Sequence, residues 1–151
     1  MEINETEREN LINKISQMGK ADWEATIGSQ RPKDPVPWKK VVEVRKSNTA
    51  HLKEIVEKYG WPGKKLVGQE VAHWAWYITQ HSDHDVEFQE HCLQAIEQLP
   101  EGQVELPDIA YLTDRVRVNK GQPQVYGTQF YGTDPAKLTP QPIENPEQLD
   151  Q

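Results

Sequence analysis

The chain has 151 residues, 24 of them acidic and 17 basic, which gives a net charge of -7 with neutral histidines. This length fits one domain, and the acidic balance without a long basic run argues against nucleic acid as a partner. A single cysteine excludes an internal disulfide framework and suits a reducing compartment. Five Trp, five Tyr and two Phe supply large apolar side chains for a compact core.

The first residues and the longest apolar run indicate a soluble, cytoplasmic protein. Residues 1–5 are acidic and polar, whereas a signal peptide starts with a basic and then an apolar stretch. The run from Val71 to Ile78 is far shorter than the roughly 20 residues of a membrane-spanning helix. We therefore expect no membrane partner.

The first predicted helix is short and amphipathic. Asn4 followed by Glu7 has the form of a capping box, and apolar residues recur at helical spacing up to Gly19, which suits a C-terminal cap. Three prolines then remove backbone donors and forbid a helix around them. Residues 20–44 are therefore predicted to form a surface connection.

Two further helices are predicted before residue 81, and the second of them is expected at the centre of the fold. Ser47 can cap the first of them, which ends at Gly60. Residues 67–80 are apolar on nearly every side of a helix, which is typical of a helix in the middle of a bundle. Ser82 is predicted to break this helix and to cap the next one, with Asp85 in the reciprocal capping position.

The last helix is predicted to begin at Pro107 and to end near Arg115, with a small β-hairpin near residues 116–130. Beyond the hairpin, several prolines and few apolar side chains predict an extended or disordered tail. The predicted fold is therefore mainly α, a compact orthogonal helical bundle with a small hairpin. One globular domain is expected over residues 1–132, followed by a Pro-rich tail over residues 133–151.

Polar side chains lie on the core side of the junction between the third and fourth predicted helices. At about 100° per residue, His81, Asp85 and Gln89 share a side with apolar Phe88. Buried polar groups need partners, so this stripe either closes an internal hydrogen-bond network or lines a cavity. In the second case His81 acts as an acid or base, oriented by Asp83 or Asp85.

A metal site competes with this interpretation, because His81, His84 and His91 lie near Asp85 and Glu87. However, His84 and His91 project away from His81, and no pair has the HExxH spacing that places two imidazoles on one face. We therefore predict no metal ligands and no cofactor. A His-based metal site remains a third alternative.

Two later segments are candidates for the same pocket. Asp114 and Arg115 form either a surface ion pair or an anion-binding pair in which Asp114 fixes Arg115. Residues 124–129 alternate like a strand and carry amide, phenol and hydroxyl groups. This pattern suits either an ordinary polar strand edge or a strand that binds a ligand.

Four motifs occur in a fixed order: YGWP at residues 59–62, QHSD at 80–83, YLTDRVRV at 111–118 and YGTQ at 126–129. Over residues 47–129 they resemble an uncharacterised bacterial family of small proteins. The resemblance implies no known activity. It points to Trp61, Gln80, His81, Asp83, Gln89, Asp114, Arg115, Tyr126, Thr128 and Gln129. Where that family has an Asp-Gln pair after its first helix, this chain has Asp22, Trp23 and Glu24.

The leading functional prediction is a small-molecule enzyme with a polar pocket. His81, Asp83 and Arg115 are the expected catalytic residues, and Arg115 binds an anionic group of a small polar ligand. The expected ligand-binding residues are Trp61, Gln80, Asp85, Gln89, Asp114, Tyr126, Thr128 and Gln129. The alternative is a non-catalytic binding or immunity-like protein, which an exposed aromatic face at Trp23 or Trp38 would favour.

Overall fold

The computed structural model describes residues 2–131 and 139–144, which are mainly helical. These residues contain six helices: α1 Glu5–Ser29, α2 Trp38–Tyr59, α3 Lys64–Val67, α4 Gln69–Gln80, α5 Val86–Glu97 and α6 Leu106–Asn119. They also contain two short antiparallel strands, β1 Phe130–Tyr131 and β2 Thr139–Pro140. The prediction of a mainly helical protein is confirmed. None of the described helices is long and apolar enough to cross a membrane.

The helix α4 lies at the centre of the fold, as its apolar sequence predicts. It contacts each of the other five helices. Its buried apolar residues are Val71, Ala72, Ala75 and Ile78. These side chains form one broad face, and the half-buried Trp74 and Trp76 beside it widen the buried surface, so α4 joins its neighbours into one continuous hydrophobic core.

The helix α1 extends to Ser29, well beyond its predicted end. Asn4 caps it as predicted, since the Asn4 side chain accepts a hydrogen bond of 2.8 Å from the Glu7 N–H. The prediction that Gly19 ends the helix is wrong. Gly19 lies inside α1, where a Cβ atom would stand 2.5 Å from Cε3 of Trp74. Glycine therefore allows α1 and α4 to pack closely at this point, because it leaves room for the indole ring of Trp74.

The helix α2 begins earlier than predicted and ends at Gly60 as predicted. Ser47 lies inside it and Pro37 occupies the capping position, so the predicted cap at Ser47 is wrong. The prolines confine the irregular connection to residues 30–37, because each fixes its own backbone and restricts the residue before it.

The helices α1 and α2 pack antiparallel to each other. Nδ2 of Asn48 donates to the Met18 carbonyl oxygen at 2.8 Å, and near the other end the Tyr59 hydroxyl donates to Glu7 at 2.7 Å. This arrangement places the carboxyl-terminal half of α1 beside the amino-terminal half of α2.

The long central helix predicted from the sequence is divided at Gly68, which has a φ of 85° and separates α3 from α4. The prediction that Ser82 caps the next helix is wrong, because the Ser82 hydroxyl donates to the Ile78 carbonyl oxygen at 2.8 Å. Asp85 is the actual N-cap of α5 and accepts a hydrogen bond of 3.1 Å from the Phe88 N–H. Ser82 lies three residues before this cap, so its hydroxyl is not at the capping position of α5.

The hairpin predicted near residues 116–130 is not formed. Pro107 lies in the first turn of α6 as predicted, but α6 continues to Asn119 because Val116 packs into the core as the next apolar residue of the helix. Residues 122–129 form a loop without strands. The two strands pair at Phe130 with Pro140 and at Tyr131 with Thr139. Within the predicted tail, residues 133–138 and 145–151 lie outside the described residues.

Candidate functional site

His81 follows the last residue of α4 and is hydrogen-bonded to Asp22 of α1. Its Nδ1 stands 2.8 Å from Oδ2 of Asp22. The side chain of Asp22 is 1% exposed, whereas that of His81 is 19% exposed. The prediction that Asp83 or Asp85 orients His81 is therefore wrong, because the imidazole points towards α1 before the chain turns.

Both oxygens of the buried Asp22 carboxylate have partners. Oδ1 accepts hydrogen bonds from Arg45 Nε at 3.2 Å and from the Thr26 hydroxyl at 3.0 Å, while Oδ2 faces His81. Burial by itself raises the pKa of Asp22, but the hydrogen bond from His81 and the charge of Arg45 outweigh burial and hold this pKa below its ordinary value. Because a carboxylate only accepts, Nδ1 of His81 carries the proton.

Tyr77 packs against His81, Arg45 shares the Asp22 carboxylate with it, and Trp38 covers Arg45. The rings of Tyr77 and His81 meet edge to face with centroids 4.4 Å apart. Burial and the charge of Asp22 raise the pKa of Tyr77. The ring of Trp38 lies 5.1 Å from the guanidinium carbon of Arg45. We call this cluster the His81 site; its residues are Asp22, Thr26, Arg45, Tyr77 and His81.

The His81 site reaches the protein surface through the partly exposed side chain of His81. Five cavities within residues 2–131 and 139–144 are lined by neither His81 nor Arg115. The predicted polar pocket shared by these two residues is therefore not among them. With Nδ1 occupied by Asp22, Nε2 is the imidazole atom that remains for a ligand.

Asp83 lies in the turn between α4 and α5, faces α6 and forms a two-point ion pair with Arg115. Nε of Arg115 donates to Oδ1 at 2.8 Å, and Nη2 contacts Oδ2. Nη1 donates to Oε1 of Gln129 at 3.1 Å. The guanidinium is therefore occupied by residues of this chain, and the predicted role of Arg115 as an anchor for an anionic ligand requires displacement of Asp83.

Gln89 and Asn119 extend this ion pair into the core. Nδ2 of Asn119 donates to Asp83 Oδ1 at 2.8 Å and to Gln89 Oε1 at 2.9 Å. Nε2 of the buried Gln89 donates to the last two carbonyl oxygens of α4, at 3.1 and 3.4 Å. These carbonyls have no partner within their own helix. Gln89 therefore fixes the end of α4 directly before His81 and closes an internal network, the first of its two predicted roles.

Asp114 is fully buried and holds the loop that follows α6. Its two oxygens accept four hydrogen bonds, all of them from this loop. The donors are the backbone N–H groups of Val125, Tyr126 and Thr128, at 2.7, 2.9 and 3.0 Å, and the Thr128 hydroxyl, at 2.8 Å. The prediction that Asp114 fixes Arg115 is wrong. The prediction of a strand over residues 124–129 is also wrong. Backbone N–H groups of this segment donate to the Asp114 carboxylate and not to a neighbouring strand.

Gln124 and Gln129 close the loop on itself, and both are buried. Oε1 of Gln124 accepts from the Gln129 N–H at 2.8 Å, and its Nε2 donates to the carbonyl oxygens of Gln129 and Gln141 at 3.0 and 2.7 Å. Because Gln129 also binds Arg115, the loop and α6 share one set of hydrogen bonds. We call it the Arg115 network; its residues are Asp83, Gln89, Asp114, Arg115, Asn119, Gln124, Thr128 and Gln129.

Acid is expected to weaken the Arg115 network. Burial by itself raises the pKa of Asp83, but the hydrogen bond and charge of Arg115 hold it below its ordinary value. Such a group stabilises the fold above its unfolded pKa of about 3.9, and this contribution is lost as the pH falls through the folded pKa. Below about pH 4, the free energy of unfolding should therefore decrease more steeply for the native chain than for Asp83→Asn in urea titrations.

Asp108 is a useful control, because its effect on the pH dependence of stability should be opposite in sign to that of Asp83. Burial raises the pKa of Asp108, despite the hydrogen bond from His73. Its ionisation therefore costs stability as the pH rises above the unfolded pKa, and Asp108→Asn should remove that cost. If the free energy of unfolding depends on pH in the same way for the native chain, Asp83→Asn and Asp108→Asn, the stated pKa directions of Asp83 and Asp108 are wrong.

The other predicted residues lie outside these contacts or have different roles. Asp85 caps α5 and contacts Lys53. Nε2 of Gln80 donates to the Tyr111 carbonyl oxygen at 3.3 Å, and Tyr126 is exposed. Trp61 is buried and lines a cavity that includes no residue of the His81 site. Among the described residues, no group of three or more His, Cys, Asp or Glu side chains is placed to hold a metal ion.

Asp22 and Arg45 were not among the predicted site residues, because the first helix was ended at Gly19 and the second was started at Ser47. A signal was present: one stripe of α1, spaced alternately by four and three residues, is buried and carries a single carboxylate. Its residues are Leu11, Ile15, Met18, Asp22 and Ala25. A carboxylate on an apolar stripe needs a partner from another element. Asn119 was missed because it fell within the predicted hairpin.

Together these features define a small helical protein in which the turn after α4 separates a buried Asp–His pair from an Arg-centred hydrogen-bond network. The chain belongs to the family of unknown function DUF6624, whose model matches residues 8–151. The resemblance to an uncharacterised family is thus confirmed, and the matched range includes Asp22 and Arg45. No curated protein and no solved structure gives a significant match to the chain.

Proposed function

We propose that the protein is an acid–base enzyme that acts on a small polar substrate at the His81 site. His81 transfers a proton through Nε2, and Asp22 is its positioning residue. The observation that carries the proposal is the 2.8 Å hydrogen bond from Nδ1 to a buried carboxylate, in a histidine whose side chain remains 19% exposed. A carboxylate placed in this way fixes the tautomer of the imidazole and stabilises the imidazolium that forms during proton transfer.

The burial of Asp22 supports a functional role over a purely structural one. Removing a carboxylate from water is costly, and the attraction of its partners often only offsets that cost. A Leu or Met at the same position of the α1 stripe would pack at least as well. Clusters of charged and titratable groups that open at a protein surface are typical of functional sites.

Arg45 takes over the role predicted for Arg115, the binding of an anionic group of the substrate. It shares the Asp22 carboxylate with His81, and Trp38 covers one face of its guanidinium. Its Nε and Nη2 bind Asp22 and Thr26, while Nη1 has no hydrogen bond to another described residue. A substrate carboxylate or phosphate bound by Nη1 would place the rest of a small molecule beside Nε2 of His81.

Steady-state assays on small chromogenic substrates test this proposal, with p-nitrophenyl acetate and p-nitrophenyl phosphate as the first probes. We expect His81-dependent turnover of at least one substrate, with kcat reduced about 100-fold or more in His81→Gln. Asp22→Asn should reduce kcat less than His81→Gln and leave KM nearly unchanged. His91→Gln changes another histidine and should have no effect. Equal turnover by the native chain and His81→Gln would overturn the proposal.

The second candidate is a non-catalytic binding protein, and the exposure of three large apolar side chains favours it. Trp23 and Ile27 lie one turn apart on α1, and Trp38 begins α2. Exposed aromatic and aliphatic side chains are typical anchors of protein interfaces. The double variant Trp23→Ser and Ile27→Ser separates the two functions: it should abolish capture of a protein partner but leave His81-dependent turnover intact.

A further inference from the structure

An open cavity of about 690 Å³ lies where the start of α1, the turn between α2 and α3, and the segment after α5 meet. Its volume falls within the range of small-molecule sites. Its lining includes no residue of the His81 site or of the Arg115 network. The residues that matter for its chemistry are Arg8, Trp61, Lys65, Leu66, Leu99 and Gln103.

Two buried donors in the cavity lining have no acceptor. Trp61 is 4% exposed, and its indole Nε1 has no hydrogen-bond partner among the described residues. The same holds for the buried Nε of Arg8. A buried donor without an acceptor costs free energy, which a ligand that brings an acceptor can recover. The indole nitrogens of Trp74 and Trp76 are also without partners, but neither ring lines this cavity.

Two cations, Arg8 and Lys65, and one carboxylate, Glu2, line the cavity, so its lining is positively charged on balance in a protein whose net charge is -7. Arg8 and Lys65 make no ion pair with another described residue. The nearby carboxylate of Glu7 is already bound by Tyr59 and Lys58. Two unpaired cations beside an orphaned indole N–H form a set of donors that suits an anion.

The floor of the cavity is fixed by Gln103 before any ligand binds. Oε1 of Gln103 accepts from the Lys65 N–H at 2.9 Å, and its backbone oxygen accepts from the Lys64 N–H at 3.0 Å. A Cβ atom at Gly63 would stand 3.0 Å from that Oε1, so glycine allows this close contact. Pre-formed walls reduce the conformational entropy that the protein loses when a ligand binds.

We propose that this cavity binds a small organic anion. Arg8, Lys65 and the Trp61 indole N–H hold its carboxylate, and its aromatic or acyl body packs against Leu66 and Leu99. This inference is independent of the proposed acid–base function, because the two sites share no residue.

Phenylacetate is the probe for the test, followed in ¹H–¹⁵N spectra at the Trp61 indole N–H, whose signal is identified by its loss in Trp61→Phe. We expect a saturable shift of this signal with a dissociation constant of about 1 mM or lower. The neutral amide phenylacetamide and inorganic phosphate should each bind at least about tenfold more weakly, since one lacks the charge and the other the apolar body. If Trp61→Phe does not fold, backbone assignment identifies the signal instead.

Substitutions in the cavity give the second arm of the test. Arg8→Gln should weaken phenylacetate binding about tenfold and Lys65→Gln about threefold, whereas Lys20→Gln, an exposed charge on α1, should leave it unchanged. His81→Gln should also bind normally, which separates this site from the catalytic proposal. Three outcomes would overturn the inference: no saturable shift at about 10 mM phenylacetate, equal binding of phenylacetamide, or equal effects of Lys65→Gln and Lys20→Gln.

Discussion

Replacing Asp114 by Asn is expected to lower the free energy of unfolding by about 3 kcal/mol. The carboxylate accepts four hydrogen bonds from the loop after α6. An amide keeps one acceptor oxygen but turns N–H donors towards the Thr128 N–H and hydroxyl. Buried donors left without acceptors cost about 1–3 kcal/mol each. Urea unfolding at neutral pH measures the change.

Thr128→Val is the control for this prediction, because it removes only one of the four hydrogen bonds to Asp114, together with the hydrogen bond that the Thr128 hydroxyl accepts from Nε2 of Gln129. It should cost about 1 kcal/mol, well below the cost of Asp114→Asn. Hydrogen exchange provides a local readout: the backbone N–H groups of Val125, Tyr126 and Thr128 should exchange faster in Asp114→Asn. A similar, small loss of stability in both variants, with unchanged exchange, would show that Asp114 does not hold the loop.

Gly19→Ala should destabilise the protein by about 2 kcal/mol, against the usual sign of this substitution in a helix. Alanine is favoured over glycine inside an exposed helix by about 1 kcal/mol. At Gly19, however, a Cβ atom would stand 2.5 Å from Cε3 and 2.7 Å from Cδ2 of Trp74. Both contacts are with a rigid ring, so the two helices must move apart. Thermal and urea unfolding measure the cost.

Two controls separate this steric effect from helix propensity. Asn13→Ala places alanine at an exposed position of α1 and should raise the free energy of unfolding by a few tenths of a kcal/mol. Gly19→Ala in a Trp74→Leu background should cost much less than in the native chain, because the ring has been removed. A stabilising Gly19→Ala in the native chain would be inconsistent with the packing of α1 on α4.

The parts of the fold that depend on local patterns were predictable from the sequence. The apolar sequence of α4 indicated its central position, and both Asn4 and Gly60 marked real helix boundaries. The errors arose where a distant contact overrides a local signal. Gly19 has the chemistry of a helix end, yet Trp74 requires a glycine there. Residues 124–129 alternate like a strand, yet the carboxylate of Asp114 holds them as a loop.

The candidate site was predicted in part, for the same reason. The sequence singled out Asp83 and Arg115, which do contact each other, and His81. It placed all three in one site because they fall in neighbouring motifs. The turn after α4 directs the His81 side chain towards α1 and that of Asp83 towards α6. Their closeness in the sequence therefore did not predict a shared site. Asp22 lies 59 residues before His81 and no local pattern links the two.

The long separation of Asp22 and His81 has a consequence for the kinetics of folding. Bringing together two residues that are 59 positions apart restricts the intervening chain, and this loss of conformational entropy precedes any energy from the contact. The contact therefore does not form as an isolated early event. It requires α1 and α4 to be docked, with α2 in place to supply Arg45. Partly folded chains that retain only individual helices therefore lack the Asp–His pair, and the appearance of that pair reports the docking of these three helices.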